Sequence, residues 1–459
     1  MRFYQETKRL EDVQSAIKET RLHFGPNKLQ ELIRLVYEVS RRDNIPPRIL
    51  LKQATKNTKT EDTRQAFVYL RDYFLKKRFS IAYGNSGNFK CYLPKVSLDK
   101  KAVVSKENLG NFYPENIFVE QDVKDYSLTK RMLKSFSSAR HIVINYIGDY
   151  VKSQKNKTPI INYNSRAKNL FLIKERFDFI KPCPCSKGVI GCGYCILNLG
   201  FGCIYECSYC FLQGYTNAHG IILPVNIEDF LKRLGWFINK SKVPIRIGTG
   251  EFTDSLALDN LTDFSKILID FFSRSENAKL ELKTKSNNVK NILKLRHNKN
   301  TVISWSLNPQ PIIDSDEWQA SSLKQRLDAA KECCQAGYPV GFHFDPIIYS
   351  SNWENLYREL VDNLFKKIGF RDIAWISLGT FRFVPRLKTI IEQRFPNTKI
   401  LNEELMLGFD KKLRYNPGLR TGIYKKMSSW IKSYSGSARV YLCMEPKEIW
   451  QDVLGRCKF

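Results

Sequence analysis

The sequence predicts an α/β fold: a parallel sheet curled into a partial, TIM-type (β/α)6 barrel, with a mainly helical N-terminal domain before it and a small C-terminal extension after it. Three observations predict this. Six short apolar runs alternate with helical stretches across residues 196–382. A dense group of cysteines stands directly beyond the first run, at the strand end where barrel loops converge. Residues 1–165 instead carry helix-spaced apolar positions and many cations.

Taken in order, Gln30–Val39 has apolar residues at helical spacing, and Thr63–Arg78 is an amphipathic helix with a basic end. The two suit a helical bundle or a nucleic-acid-binding unit. The polar stretch Lys152–Pro159 predicts a linker, and residues 166–195 form a Cys-rich connector. Strands are then expected at Ile196–Phe201, Ile245–Gly248, Leu280–Thr284, Val302–Leu307, Val340–Phe344 and Ala374–Leu378. Helices are expected between them at Asn226–Asn239, Asn260–Ser273, Ser321–Ala336 and Trp353–Lys367. Strand–helix units in series imply parallel strands, because parallel neighbours need a long crossover. Residues 383–459 read as an α+β segment with a basic loop, Lys411–Lys426, that interleaves cations, tyrosines and glycines. Such a loop suits a phosphate backbone, through Arg420, Lys425 and Lys426, or a solvated turn.

The formal charge of +28, from 74 basic and 46 acidic residues, attracts polyanions, of which nucleic acid is the commonest. No apolar run reaches the roughly 20 residues that span a bilayer. The N-terminus lacks the apolar core of a signal peptide, so a cytoplasmic location is expected. In a reducing compartment, 12 cysteines in clusters argue for metal rather than disulfides.

The most specific feature is Cys203-Ile-Tyr-Glu-Cys207-Ser-Tyr-Cys210. Three thiolates in one loop can hold three irons of a [4Fe–4S] cluster, leaving the fourth iron open to an outside ligand. Zinc sites more often use two cysteine pairs with four ligands. The C-x3-C-x2-C loop, with Tyr209 before its last cysteine, closely resembles the motif of the radical S-adenosylmethionine (SAM) superfamily. After the second strand, Gly248-Thr-Gly250-Glu251-Phe-Thr253 resembles that superfamily's Gly-Gly-Glu element, with glycines for close approach and a carboxylate for the amino group of SAM. Lys285 and Ser306 end the third and fourth strands and suit the polar groups of SAM or, on the residues alone, a solvated lysine and a structural serine. A second group, Cys183, Cys185, Cys192 and Cys195, has spacing that suits zinc, an auxiliary iron–sulfur cluster or a reduced loop.

From about Tyr194 onward the chain resembles spore photoproduct lyase, a radical-SAM family that reverses a thymine dimer in spore DNA. The resemblance rests on Gly202–Gln213, Thr253–Thr262, Thr284–Val289, Ala336–Phe342, Trp353–Leu360 and Ile391–Pro396. It implies a partial (β/α)6 barrel, cluster ligands Cys203, Cys207 and Cys210, and SAM contacts at Tyr209, Thr253, Lys285 and Ser306. It also implies a DNA-gripping basic segment near Arg420–Lys426 and a reductant such as flavodoxin or ferredoxin. Two positions depart from the family pattern. Glu251 stands where the family has a hydrogen-donating cysteine, and Phe211 where it has a tyrosine. The leading expectation is thus a radical-SAM enzyme acting on nucleic acid, in DNA repair or base modification. The alternatives are the same chemistry on a peptide, protein or small molecule, and a non-enzymatic zinc-containing nucleic-acid-binding protein.

Overall fold

The computed structural model describes residues 2–56, 62–86, 90–153, 163–215 and 220–457. The chain forms two compact units. One comprises Met1–Val104 with Phe381–Arg420, the other Ser105–Thr380 with Thr421–Phe459. The sequence blocks broke near 165, 195 and 382, whereas the structural units divide after 104, 380 and 420. The expected linker Lys152–Pro159 lies outside the described residues except for Lys152 and Ser153, which end the helix Ile147–Ser153.

The first unit is built on the helices Arg2–Glu19, Pro26–Asp43, Pro47–Thr55 and Thr63–Arg78. Their apolar faces bury Val13, Ile17, Leu35, Val36, Val39, Leu50, Leu70 and Phe74. The last of these helices starts where the Asp62 side chain accepts from the amides of Arg64 and Gln65, filling two donors that a helix N-terminus leaves open. Residues from far along the chain complete the unit. Arg34 pairs with Glu392 at 2.7 Å, and Glu38 pairs with Arg78 at 2.7 Å and Lys388 at 2.6 Å, all buried.

The second unit contains the barrel. Its strands are β4 (Ile180–Pro182), β5 (Tyr194–Leu197), β8 (Ile245–Gly248), β9 (Ala278–Thr284), β10 (Thr301–Ser306), β12 (Val340–Ile347), β13 (Ile373–Thr380) and β17 (Val440–Leu442). They lie in the order β17-β13-β12-β10-β9-β8-β5-β4, parallel except for β4 against β5. All six expected strands are present, and β17 adds a seventh parallel one. The first expected strand is displaced: it ends at Leu197 rather than Phe201, where the Leu199 amide turns back to the Leu197 carbonyl at 3.0 Å, and Phe201 bridges Ile222 instead. The helix expected over Asn260–Ser273 is broken at Asp263 (φ +54°) into Asp259–Thr262 and Phe264–Ser273. Trp353–Lys367 is found as expected, and Leu323–Gln335 opens with a capping box between Ser322 and Gln325.

A second parallel sheet was not expected from the sequence. It orders β2 (Arg140–Ile144), β1 (Asn116–Glu120), β3 (Asn169–Ile173) and β7 (Ile221–Pro224). Two short ladders complete the inventory: β6 (Glu206–Cys207) against β11 (Glu317–Trp318), and β14 (Arg382–Phe383), β16 (Leu413–Tyr415) and β15 (Leu405–Leu407) in the first unit. No helix of the described residues is long and apolar enough to cross a membrane.

Candidate metal and cofactor site

Strand alternation decides what faces the barrel interior. Register places Tyr194 level with Arg246, Gly248 with Glu281, and His343 with Ser377. These residues meet inside. His343 stands 2.7 Å from both Glu281 and Ser377, Ser304 donates to Glu281 at 2.7 Å, and Arg246 lies 3.2 Å from the same carboxylate. Burial alone would raise the Glu281 carboxyl, but Arg246 and His343 hold it well below the ordinary range. Lys285 continues this face of β9 beyond the strand end, as Ser306 does at the end of β10. Both expected SAM contacts thus look toward the barrel mouth.

The cysteine triplet follows β5 at that mouth. Cys207 is buried in β6, while Cys203 and Cys210 are partly buried. Two side chains hold the loop by its backbone. Arg166 donates to the carbonyls of Cys203 at 2.8 Å and Tyr205 at 2.7 Å and pairs with Glu206. Gln213 donates to the carbonyls of Cys207, Ser208 and Cys210 at 3.2, 2.8 and 3.1 Å. Sequence reading missed both. Gln213 sits inside the quoted family motif, but nothing around Arg166 marks it.

A second ring of contacts lies behind Tyr209. Its hydroxyl donates to Glu317, which also accepts from Asn308 at 2.8 Å and Arg326 at 2.6 Å. Arg326 further holds the carbonyl of Ser306 at 2.8 Å. The Lys285 ammonium lies 5.7 Å from the centre of the Tyr209 ring. Burial would lower Lys285, but Glu317 and Cys207 offset this and leave it raised, hence cationic. Asp254 accepts from the Lys285 amide at 2.7 Å and the Thr284 hydroxyl at 2.6 Å, tying the loop after β8 to the end of β9. Gly250 is obligatory there: a Cβ would stand 2.8 Å from both Cβ and O of Lys283. Thr253 packs near Gly200. Glu251 acts electrostatically on Tyr194 and Cys183.

Among the described residues no trio of His, Cys, Asp or Glu side chains is gathered as a metal cage. The fit to a cluster rests on donor chemistry. Burial, followed by Asp254, pushes the Cys203 thiol up to about 12, and burial likewise raises Cys207 and Cys210. Three desolvated thiols suit a cationic metal group, which takes the protons' place.

The remaining expected residues are distributed differently. Arg420 is buried and donates to the Tyr415 carbonyl at 2.6 Å, so its guanidinium serves the interior rather than a surface. Lys425 pairs with Asp452 at 2.6 Å and Lys426 with Glu354, both half-exposed. In the second cysteine group, Cys183 and Cys185 lie side by side, whereas Cys195 faces away from them, because it neighbours Tyr194 on a strand.

The family model described as spore photoproduct lyase matches residues 112–432. The chain is 30% identical to the spore photoproduct lyase of Bacillus subtilis over 322 residues, covering 68% of this chain and 90% of that protein. It is 30% identical to that of Clostridium acetobutylicum over 205 residues, 43% of this chain and 60% of the relative. A solved spore photoproduct lyase complexed with dinucleoside spore photoproduct superposes with a TM-score of 0.63 at 24% identity, covering 72% of this chain and all of that one. That likeness shows the partial-barrel fold.

Proposed function

The chain belongs to the spore photoproduct lyase family, and from that premise we propose that it is a radical-SAM enzyme acting on nucleic acid, in DNA repair or base modification. The observation that carries the reading is the three-thiol loop at the barrel mouth, its backbone held by Arg166 and Gln213. Cys203, Cys207 and Cys210 would hold a [4Fe–4S] cluster, and Tyr209, Gly250, Thr253, Lys285 and Ser306 would receive SAM. When bound and reduced, the cluster supplies the electron that cleaves SAM to methionine and a 5′-deoxyadenosyl radical.

The chain's own part is position and exclusion of water. Glu317, held to about 2 because Arg326 and Lys285 outweigh the effect of burial, stays ionised and fixes the Tyr209 hydroxyl. Arg326 ties that carboxylate to the backbone of Ser306, joining the end of β10 to β11. Lys285 stays protonated and can meet a carboxylate. Gly250 lets a ligand approach the backbone.

The +28 charge favours a nucleic-acid substrate over a peptide or metabolite. A flavodoxin or ferredoxin would supply the electron. Incubation of the reduced, cluster-loaded chain with SAM and dinucleoside spore photoproduct tests the reading. The lesion should be consumed and 5′-deoxyadenosine released. SAM cleavage with the lesion untouched would overturn the substrate assignment.

A further inference from the structure

We infer that Cys183, Cys185, Cys192 and Cys443 form a second metal site, a four-thiolate zinc centre, and that Cys195 is not a ligand. Cys443 stood alone in the sequence. The fold brings it to the connector.

The four sulfurs are not closed into a cage; three contacts bring them to one end of the sheet, from which a zinc ion would draw them together. The sulfurs of Cys183 and Cys185 are 3.7 Å apart. Two thiolates on one tetrahedral zinc, each at about 2.3 Å, stand about 3.8 Å apart. Arg246 Nη2 lies 3.9 Å from the Cys192 sulfur and 2.9 Å from the hydroxyl of Tyr441, two residues before Cys443. The Ile190 amide donates to the Glu445 carbonyl at 3.1 Å, so the connector and the segment after β17 are joined on the other side of Cys443.

The backbone suits a metal knuckle. The Cys185 amide donates to the Cys183 carbonyl at 2.7 Å, a tight turn between two ligands. Gly188 and Gly193 take φ of +82° and +72°, which fold the connector back on itself. Cys195 pairs with Pro182 within the ladder, whereas Cys183 donates its amide to Tyr194. Cys183 therefore shares the face of Tyr194, and Cys195 takes the opposite one.

Arg246, 3.9 Å from the Cys192 sulfur, would offset the surplus negative charge that four thiolates on one zinc carry.

The placement indicates the role. β4 and β17 are the two terminal strands of the eight-stranded sheet. Cys183 directly follows β4 and Cys443 directly follows β17. A metal shared between them fastens the sheet's two open edges beside the lumen that holds Arg246 and Glu281.

The test is metal analysis of the full-length chain, purified anaerobically with its iron loaded and then dialysed against a chelator. Wild type and Cys195→Ser should each keep about one zinc, while Cys185→Ser and Cys443→Ser should fall to about a tenth of that or less. Iron at the triplet should be unchanged in all four, which separates this site from the SAM site. Titration of zinc-free wild type with cobalt(II) should add thiolate charge-transfer bands and tetrahedral d–d bands, a readout that no variant's folding can confound. Retention by Cys443→Ser with loss in Cys195→Ser would overturn the assignment. So would iron in place of zinc, or wild type with a full triplet and no zinc or cobalt uptake.

Discussion

Arg166 and Glu206 form a buried ion pair directly beneath the cysteine loop, with side-chain exposures of 1% and 4%. The same guanidinium holds the carbonyls of Cys203 and Tyr205. One residue thus neutralises a loop carboxylate and fixes the backbone between Cys203 and Cys207.

Removing Arg166 strands the Glu206 charge. Arg166→Ala should destabilise the second unit by about 3–5 kcal/mol, as breaking a buried pair does. Arg166→Met with Glu206→Gln should recover much of that stability while iron retention stays impaired, since the carbonyl donors remain absent. Denaturant unfolding and iron content check both. Equal stability of the single and double variants would show that the pair contributes little.

Glu317 gives a pH signature. Its ordinary value of 4.5 falls to about 2 in the folded chain. A depressed carboxyl contributes stability that is fully present above about pH 4.5 and is lost as pH falls towards 2. The shift corresponds to about 3 kcal/mol. Glu317→Gln should therefore flatten the acid limb of the stability curve in that window and weaken SAM binding. Acid-limb curves that run parallel for wild type and variant would refute the linkage.

Gly250→Ala should be felt at once, because the new Cβ would meet Lys283 Cβ and O at 2.8 Å and Ser255 Oγ at 3.1 Å. Overpacking of this kind costs roughly 1–3 kcal/mol. A lower melting temperature and a raised KM for SAM, with iron content intact, are expected. An unchanged KM would mean that this loop does not face the cofactor.

Gln213→Ala tests the loop's other support. Three carbonyls lose their shared donor. Faster iron loss on dilution is expected, with little change in global unfolding. A cluster as durable as wild type would place the restraint elsewhere.

Much of this was legible in the sequence because the signals were local. Ile245–Gly248 and Trp353–Lys367 occupy the expected residues, and the C-x3-C-x2-C loop lies at a strand's C-terminal end. The missed sheet came from runs such as Asn116–Glu120 and Arg140–Ile144, short and polar-flanked enough to be lost in a basic, helix-patterned region. β17 has only three residues. Pairs such as Arg34 with Glu392, or the approach of the connector to Cys443, join distant segments and leave no periodicity to read. Arg420 misled for the opposite reason: a cation in a basic loop reads as surface, yet its guanidinium is turned to the Tyr415 carbonyl.

Electron paramagnetic resonance of the reconstituted, dithionite-reduced chain, before and after SAM, addresses the open-iron assignment most directly. A reduced-cluster signal should change shape on SAM addition, with 5′-deoxyadenosine appearing in step with methionine, and Cys207→Ser should abolish both. A fully iron-loaded chain whose signal ignores SAM and which releases no 5′-deoxyadenosine would contradict the assignment.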